Sequence, residues 1–474
     1  MLSILEKIVS VGNTILWQYV LIVLLISMGL YFTFKSNFVQ FKFLGEMFKL
    51  LGDGASNSSD KKHGVSSFQA FCISTASRVG TGNLAGVALA ISIGGPGAVF
   101  WMWLIALIGA ASSFVESTLA QIYKVKDKSG YRGGPAYYME KALNKRWMGV
   151  LFSILITLCF GLVFNAVQSN TISLAFEEAF GLNRMIMGLT LATVTAIIIF
   201  GGVTRIAKVA ELIVPVMAVA YIFVAIFVII KNITLVPSIF SLILSSAFGM
   251  KAAVGGGIGA ALMQGIKRGL FSNEAGMGSA PNAAATAHVS HPVKQGLIQT
   301  LGVFTDTLLI CSSTAFIILL SGAYSTEGLT GIQLTQTALS SQVGSWGNTF
   351  IAACILLFAF SSIIGNYYYG ETNIEFINTK KIYLLIYRLS VVGMVVFGSV
   401  AKVQIVWDMA DLFMGLMALI NLIAISQLGK IAFAALKDYA AQKKEGKDPV
   451  FYSDSIEGLN NLECWESSTE AKKA

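Results

Sequence analysis

Charge is scarce in this chain. Asp, Glu, Lys and Arg make up 12% of its 474 residues, about half of the roughly 25% that a soluble domain carries. That supply cannot cover a globule of this size with polar surface, so an ordinary soluble enzyme is excluded. The 55% hydrophobic content excludes a disordered chain as well. The three histidines (His63, His288, His291) lack metal-ligand spacing. The five cysteines form no CxxC pair, so neither zinc nor a structural disulfide is expected. No GxSxG, HExxH or GKS/T motif occurs, which leaves little footing for enzyme chemistry. The formal charge of +8 would suggest nucleic acid only if the bases gathered on a water-facing module, and they do not. What is present is apolar sequence. The mean hydropathy is +0.71, and the bilayer core is a solvent that tolerates such an exterior.

A membrane crossing needs about 20 mostly apolar residues. Eleven such segments are legible: 13–34, 66–93, 97–124, 147–170, 184–203, 209–230, 253–288, 295–322, 347–370, 382–401 and 405–430. The first has no small-residue cleavage site followed by a soluble domain, so it reads as a crossing and not as a removed signal peptide. About 24 of the 33 Lys and Arg fall on alternate loops. The positive-inside rule places those loops in the cytoplasm of a bacterial-type plasma (inner) membrane. The amino terminus is then expected outside and the carboxyl terminus inside. Residues 1–437 read as one transmembrane domain and 438–474 as a loose polar cytoplasmic tail. A short external helix is expected near 237–247.

Two of the segments carry polar, glycine-rich interruptions at their middles. The second reads FQAFCISTASRVGTGNLAGVALAI, with Arg78, Gly80, Thr81, Gly82 and Asn83 at its centre. Glycine permits positive φ, and Thr or Asn can cap a restarted helix, so a break is expected near 79–83. The seventh holds Ser272, Asn273, Glu274, Gly276 and Gly278, then Ser279-Ala280-Pro281 as a fresh start. A second break is expected near 270–278. The two lie five crossings apart and run in opposite directions, the signature of an inverted repeat. The repeats would cover 66–230 and 253–430, with 13–34 as an addition. A broken helix exposes N–H groups at one new end and C=O groups at the other. In lipid these cost several kcal/mol each unless paired. Restarted ends suit a carboxylate and carbonyl ends suit a cation, so an amino acid zwitterion fits better than a sugar.

Three stretches carry a family resemblance: GTGNLAGVALAISIGGPGAVFWMW, the loop YRGGPAYYME and FSNEAGMGSAPNAAATA. They resemble the alanine/glycine:cation symporters of the amino acid–polyamine–organocation superfamily, over about 66–430. The resemblance implies an all-α leucine-transporter-like 5+5 core. It implies import of alanine or glycine with Na+, with H+ coupling, another solute or a channel as alternatives. The resemblance implies Na+ as the coupling ion and no cofactor. Thr81 and Gly82 would offer N–H groups to the substrate carboxylate. The carbonyls of Ala76, Val79 and Phe358 and the hydroxyls of Ser361 and Ser362 would hold the cation. Asn83 would serve a second cation. The sequence departs from the family at Arg78, where a small polar residue is usual.

Other polar residues admit two readings each. Gln168 is a pocket residue, as the family suggests, or an interhelical hydrogen-bonding group. Asn273 contacts solute or caps a helix. Ile364 and Tyr368 share a helix face and form a pocket wall, or the tyrosines 367–369 belong to an interfacial belt. Gly276 completes the candidate solute contacts. Arg78 and Glu274 are expected to pair across the breaks in preference to carrying protons. Glu116 is expected to support a break or Arg78, and Asp306 is a relay or a structural acid. Lys267 and Arg268 are expected to line a vestibule. Trp101, Trp103, Trp147, Trp346 and Trp407 read as interfacial belt. Oligomeric state is not legible.

Overall fold

The computed structural model describes residues 2–56, 65–127, 130–201, 203–249 and 257–471. Lys61, Lys62, His63, Lys128, Lys251, residues 253–256 of the seventh segment and the last three residues of the tail lie outside these. The described residues are almost wholly helical, with one small hairpin (Val125–Asp127 with Gly130–Arg132) after the third crossing. Backbone groups in hydrocarbon must be satisfied within their own segment, and a helix does this.

Among the described residues, eight helices are long and apolar enough to cross a membrane. They are α1 (Glu6–Lys35), α4 (Ala98–Ile122), α5 (Arg146–Phe180), α7 (Lys208–Lys231), α10 (Pro292–Ser321), α11 (Trp346–Ile377), α12 (Lys381–Val400) and α13 (Val403–Lys444). Helix α6 (Arg184–Ile199) is shorter but reaches about 24 Å at 1.5 Å per residue. The remaining two of eleven are the interrupted segments. One is α2 (Ser67–Arg78) followed by α3 (Gly82–Gly94). The other is α8 (Ile258–Asn273) followed by α9 (Ala280–Ala284). The short helix expected near 237–247 spans Val236–Ala247.

Exposure sorts these helices into rings. Leu212, Val216, Phe223, Phe227 and Ile230 of α7 and Ile382, Ile386 and Leu389 of α12 are exposed apolar residues, as lipid-facing helices require. By contrast, every residue from Ala70 to Ala88 is buried, as is every residue from Arg268 to Ala287. The interrupted segments therefore form the centre. Helix α4 packs on α8 and α10, α5 packs on α11 and α12, and α2 is held between α7 and α11.

Three expectations are corrected. Helix α9 stops at Ala284 instead of running to 288. There the chain turns extended and Ala287 bridges Val65, with the His288 N–H donating to the Val65 carbonyl at 3.2 Å. The polar tail is not loose. Helix α13 continues to Lys444, and the segment beyond it folds back. Phe451 N–H donates to the Ser290 carbonyl at 2.8 Å, and the Trp465 indole N–H meets the carbonyls of Gln121 and Ile122 at 3.2 Å each. Trp407 is not at an interface. It is buried against Phe271, ring centroids 4.9 Å apart, under the Arg268 guanidinium.

Candidate functional site: two helix breaks and the oxygens between them

At the first break α2 ends with Arg78, and Val79 takes an extended conformation (φ −80°, ψ 92°). The freed groups are taken up locally. Asn83 Oδ1 accepts the Gly80 N–H at 2.9 Å, and the Gly80 carbonyl accepts the Asn83 N–H at 3.2 Å. The Thr81 N–H reaches across to Gln168 Oε1 on α5 at 2.9 Å. Glycine at 80 is a packing requirement, because a Cβ there would collide with Ser362 Oγ and Gln168 Oε1.

The ended side of the break offers carbonyls, and α11 meets them with hydroxyls. Ser362 Oγ lies 2.9 Å from the Ala76 carbonyl, 3.3 Å from that of Val79 and 3.0 Å from that of Phe358. Ser361 Oγ lies 2.8 Å from the Phe358 carbonyl and 3.5 Å from that of Ala76. Five oxygens from two segments thus converge, all on buried residues. A hydroxyl that donates to a carbonyl here can rotate and offer a lone pair instead. An all-oxygen set is what hard cations take.

At the second break α8 ends on Asn273, and Glu274 adopts a left-handed conformation (φ 57°). The Gly276 and Gly278 N–H groups, both at positive φ, donate to the Glu116 carboxylate of α4 at 3.1 and 3.0 Å. Asn421 of α13 donates to Glu116 at 2.7 Å and to the Gly276 carbonyl at 2.9 Å. Both polar groups of Gly276 are therefore bonded within the scaffold. Asn273 serves as a local cap, its Oδ1 accepting the Ala275 N–H at 3.0 Å, and it also donates to Thr307 at 3.2 Å.

The two breaks touch. Ser77, in the last turn of α2, donates to Glu274 at 2.7 Å, and Ser279 donates to the other Glu274 oxygen at 2.5 Å. Asp306 of α10 accepts from Asn83 and from Ser272, both at 2.7 Å. A Cβ on Gly82 would stand 2.9 Å from the Phe271 ring and 3.2 Å from Ser272 Cα.

The expected Arg78–Glu274 pair is not made. Arg78 points toward α4 and α10, donating to the Gln299 carbonyl at 3.1 Å and to Ser113 at 3.4 Å. Among the described residues no carboxylate lies within ion-pair distance of it. Glu274 has its hydroxyl donors in place of a base. Lys267 and Arg268 share Asp411, at 3.1 and 2.5 Å. Ile364 is buried in α11 two positions past Ser362. Tyr368, one turn further on the same helix, is buried as well. Asn421 and Ser77 were not singled out from sequence, and Trp407 was read only as a belt residue. Asn421 carries a usable signal, as an amide in an otherwise apolar crossing.

The breaks are closed over by their own side chains. A cavity of about 360 Å³ lies elsewhere, at the lysine-rich end, lined by Lys141, Lys430 and Glu457.

This architecture, two interrupted helices buried in an apolar bundle with polar groups aimed at each other, defines a polytopic membrane transporter and not an enzyme. The chain belongs to the sodium:alanine symporter family, whose model matches residues 2–453. It is 65% identical to the probable sodium/glutamine symporter GlnT of Bacillus subtilis, over 98% of this chain and 97% of that one. It is 58% identical to the amino-acid carrier protein AlsT of the same organism, over 99% of each. Among solved structures, a manganese transporter mutant from Eremococcus coleocola aligns with a TM-score of 0.48 at 15% identity, covering 81% of this chain and 82% of that one.

Proposed function

We propose that the chain imports a small neutral amino acid, alanine or glycine, together with Na+ by alternating access. The observation that carries this reading is the convergence of Ser361 and Ser362 on the carbonyls of Ala76, Val79 and Phe358. These five oxygens would hold Na+. The Thr81 and Gly82 N–H groups on the other side of the same break would take the substrate carboxylate. Ion and solute then stabilise one closed arrangement, which is what coupling requires. One monovalent cation entering at ~100 mV supplies about 2.3 kcal/mol, and a tenfold inward Na+ ratio adds about 1.4 kcal/mol. Together these support accumulation of roughly 500-fold at one-to-one coupling.

In this reading the lysine-rich end is cytoplasmic, the amino terminus lies outside, and the membrane is a bacterial plasma membrane. Residues 66–230 and 253–430 form the two inverted repeats of one transmembrane domain, with α1 as an addition. The deciding experiment is labelled-alanine uptake into proteoliposomes under imposed Na+ gradients. Ser361→Ala combined with Ser362→Ala is expected to raise the half-saturating Na+ concentration by tenfold or more. Unchanged Na+ dependence would remove the proposed ion site.

A second solute is favoured by one observation, the 65% identity to a relative named for glutamine. Competition of glutamine, glycine and D-alanine against labelled L-alanine ranks the solutes. Uptake of labelled glutamine in preference to alanine would replace the solute and leave the mechanism.

A further inference from the structure

We infer that residues 445–467, after α13, form a strap that holds the cytoplasmic side of the transporter shut and releases it in each cycle. The inference rests on the alternating-access reading and names the part that gates its inner side. The strap is seated at two places. At the first, Asp448 pairs with Lys294 at 2.7 Å, the Pro449 carbonyl accepts from Ser290 Oγ at 2.9 Å, and the Phe451 N–H donates to the Ser290 carbonyl. Lys294 and Ser290 belong to the start of α10 and the turn before it. Phe451 is buried, its ring 5.4 Å from that of His291 and 5.1 Å from that of Trp465. At the second seat the Trp465 indole N–H takes the carbonyls of Gln121 and Ile122, which the end of α4 leaves without intrahelical partners. The Trp465 ring also lies 5.0 Å from Nζ of the buried Lys124. A bond from the Ser453 N–H to the Glu466 carbonyl, 2.9 Å, joins the two seats into one unit.

Under these seats lie the closed ends of both interrupted segments. Val65, just before α2, bridges Ala287, just past α9. Gln121 Nε2 donates to the Ala284 and Ala287 carbonyls at 2.5 and 3.0 Å, and Lys124 Nζ donates to that of Ala287 at 2.9 Å. A solute leaving the breaks toward this end has to part these contacts. Trp465 braces the turn of α4 that makes them.

The strap also spans two packed groups of helices. Its seats on α4 and α10 belong to the group around α8. Its other attachment does not. Glu463 pairs with Lys141, and Asn461 Nδ2 donates to the Lys141 carbonyl at 3.0 Å. Lys141 ends a short helix, Pro135–Lys141, that packs on the start of α5, in the group with α11 and α12. Alternating access is largely the rocking of one such group against the other, so a strap fixed to both opposes it. Its hold is modest, as a contact broken in every cycle must be. Asp448 and Glu463 are exposed, and exposed ion pairs are weak. The cavity of about 360 Å³ lies beneath Ile456–Asn461, so little apolar contact is lost there on release.

Cys464 reports on the strap. It is the neighbour of Trp465 and partly exposed, whereas Cys72, Cys159, Cys311 and Cys354 are buried. The test is the rate at which a water-soluble maleimide labels Cys464 in the purified full chain at constant pH, read by mass spectrometry. Saturating Na+ with alanine, or with glutamine if that is the solute, favours the closed arrangement. It is expected to slow labelling at least about threefold relative to choline alone. Trp465→Ala is expected to raise the half-saturating Na+ concentration for uptake several-fold, because bound ions must then supply the closure that the strap supplied. A lower melting temperature at an unchanged half-saturating Na+ concentration would make Trp465 merely structural and overturn the inference. So would equal labelling rates in wild-type protein whose melting temperature still shifts with Na+ and solute, whether or not the variant folds. Absence of both that shift and Na+-driven uptake would remove the symport reading, and the strap's role with it.

Discussion

The Thr81 backbone N–H shows how a transporter keeps a broken helix intact between cycles. A donor left unpaired in an apolar interior costs several kcal/mol, and here the Gln168 side-chain oxygen takes it at 2.9 Å. That oxygen occupies the position proposed for a substrate carboxylate oxygen, so substrate must displace it. A hydrogen bond of this kind is worth about 0.5–1.5 kcal/mol net. Gln168→Ala is therefore expected to tighten substrate binding by roughly two- to tenfold, read as a lower Kd for alanine by calorimetry in detergent. A weaker Kd would assign Gln168 as an ordinary ligand. Gln168 thus joins α5 directly to the break, and the binding measurement separates its pocket role from its interhelical one.

At the scale of the element, α10 begins with a cap that titrates. His291 Nδ1 accepts the Val293 N–H at 3.2 Å, and Nε2 contacts Asp438 of α13 at 3.1 Å. The cap requires an unprotonated Nδ1. Burial pulls the imidazole below its usual 6.5, against the opposing pull of Asp438. The unfolded chain therefore binds a proton below about pH 6.5 where the folded one does not, and stability falls as pH drops through that range. Asn in place of His291 keeps a capping oxygen and cannot titrate. His291→Asn is expected to flatten the decline in melting temperature between pH 7.5 and 5.5, followed by tryptophan fluorescence. An unchanged slope would assign the acid sensitivity to other groups.

Elements also mark what the sequence could and could not disclose. The two breaks were legible because glycine, Asn and Ser in mid-crossing have few other uses, and they fall at 79–81 and 274–279. The Arg78–Glu274 pair was not foreseeable either way. Sequence spacing places both near the midplane, but side-chain direction depends on which helix packs behind, and α4 and α10 give Arg78 its acceptors. Trp407 reads like a belt residue because its position near a helix start matches one. Its burial comes from Phe271 and Arg268, more than a hundred residues earlier. The folded tail was missed for a related reason: polar composition does not reveal that Phe451 and Trp465 dock on Ser290 and on the last turn of α4.

For the whole molecule, the contacts between the breaks bear on energy transfer. Ser77 to Glu274 and Asn83 through Asp306 to Ser272 tie one interrupted segment to the other. The proposed ion and solute groups share the first of these segments. Filling either site is then expected to favour the closed arrangement that the other needs, and the coupling must be reciprocal. Typical coupling of 1–3 kcal/mol corresponds to a factor of about 5–150 in affinity. Alanine at saturation is expected to lower the Kd for Na+ by the same factor by which Na+ lowers the Kd for alanine. Because ligands that bind only the folded state raise its melting temperature by mass action, the joint shift with both is expected to exceed the sum of the separate shifts. Calorimetry and melting curves on the purified full chain, with choline replacing Na+, measure both quantities. Strictly additive shifts with equal Kd values in either order would mean that ion and solute bind independently, and the shared break would then have no part in coupling.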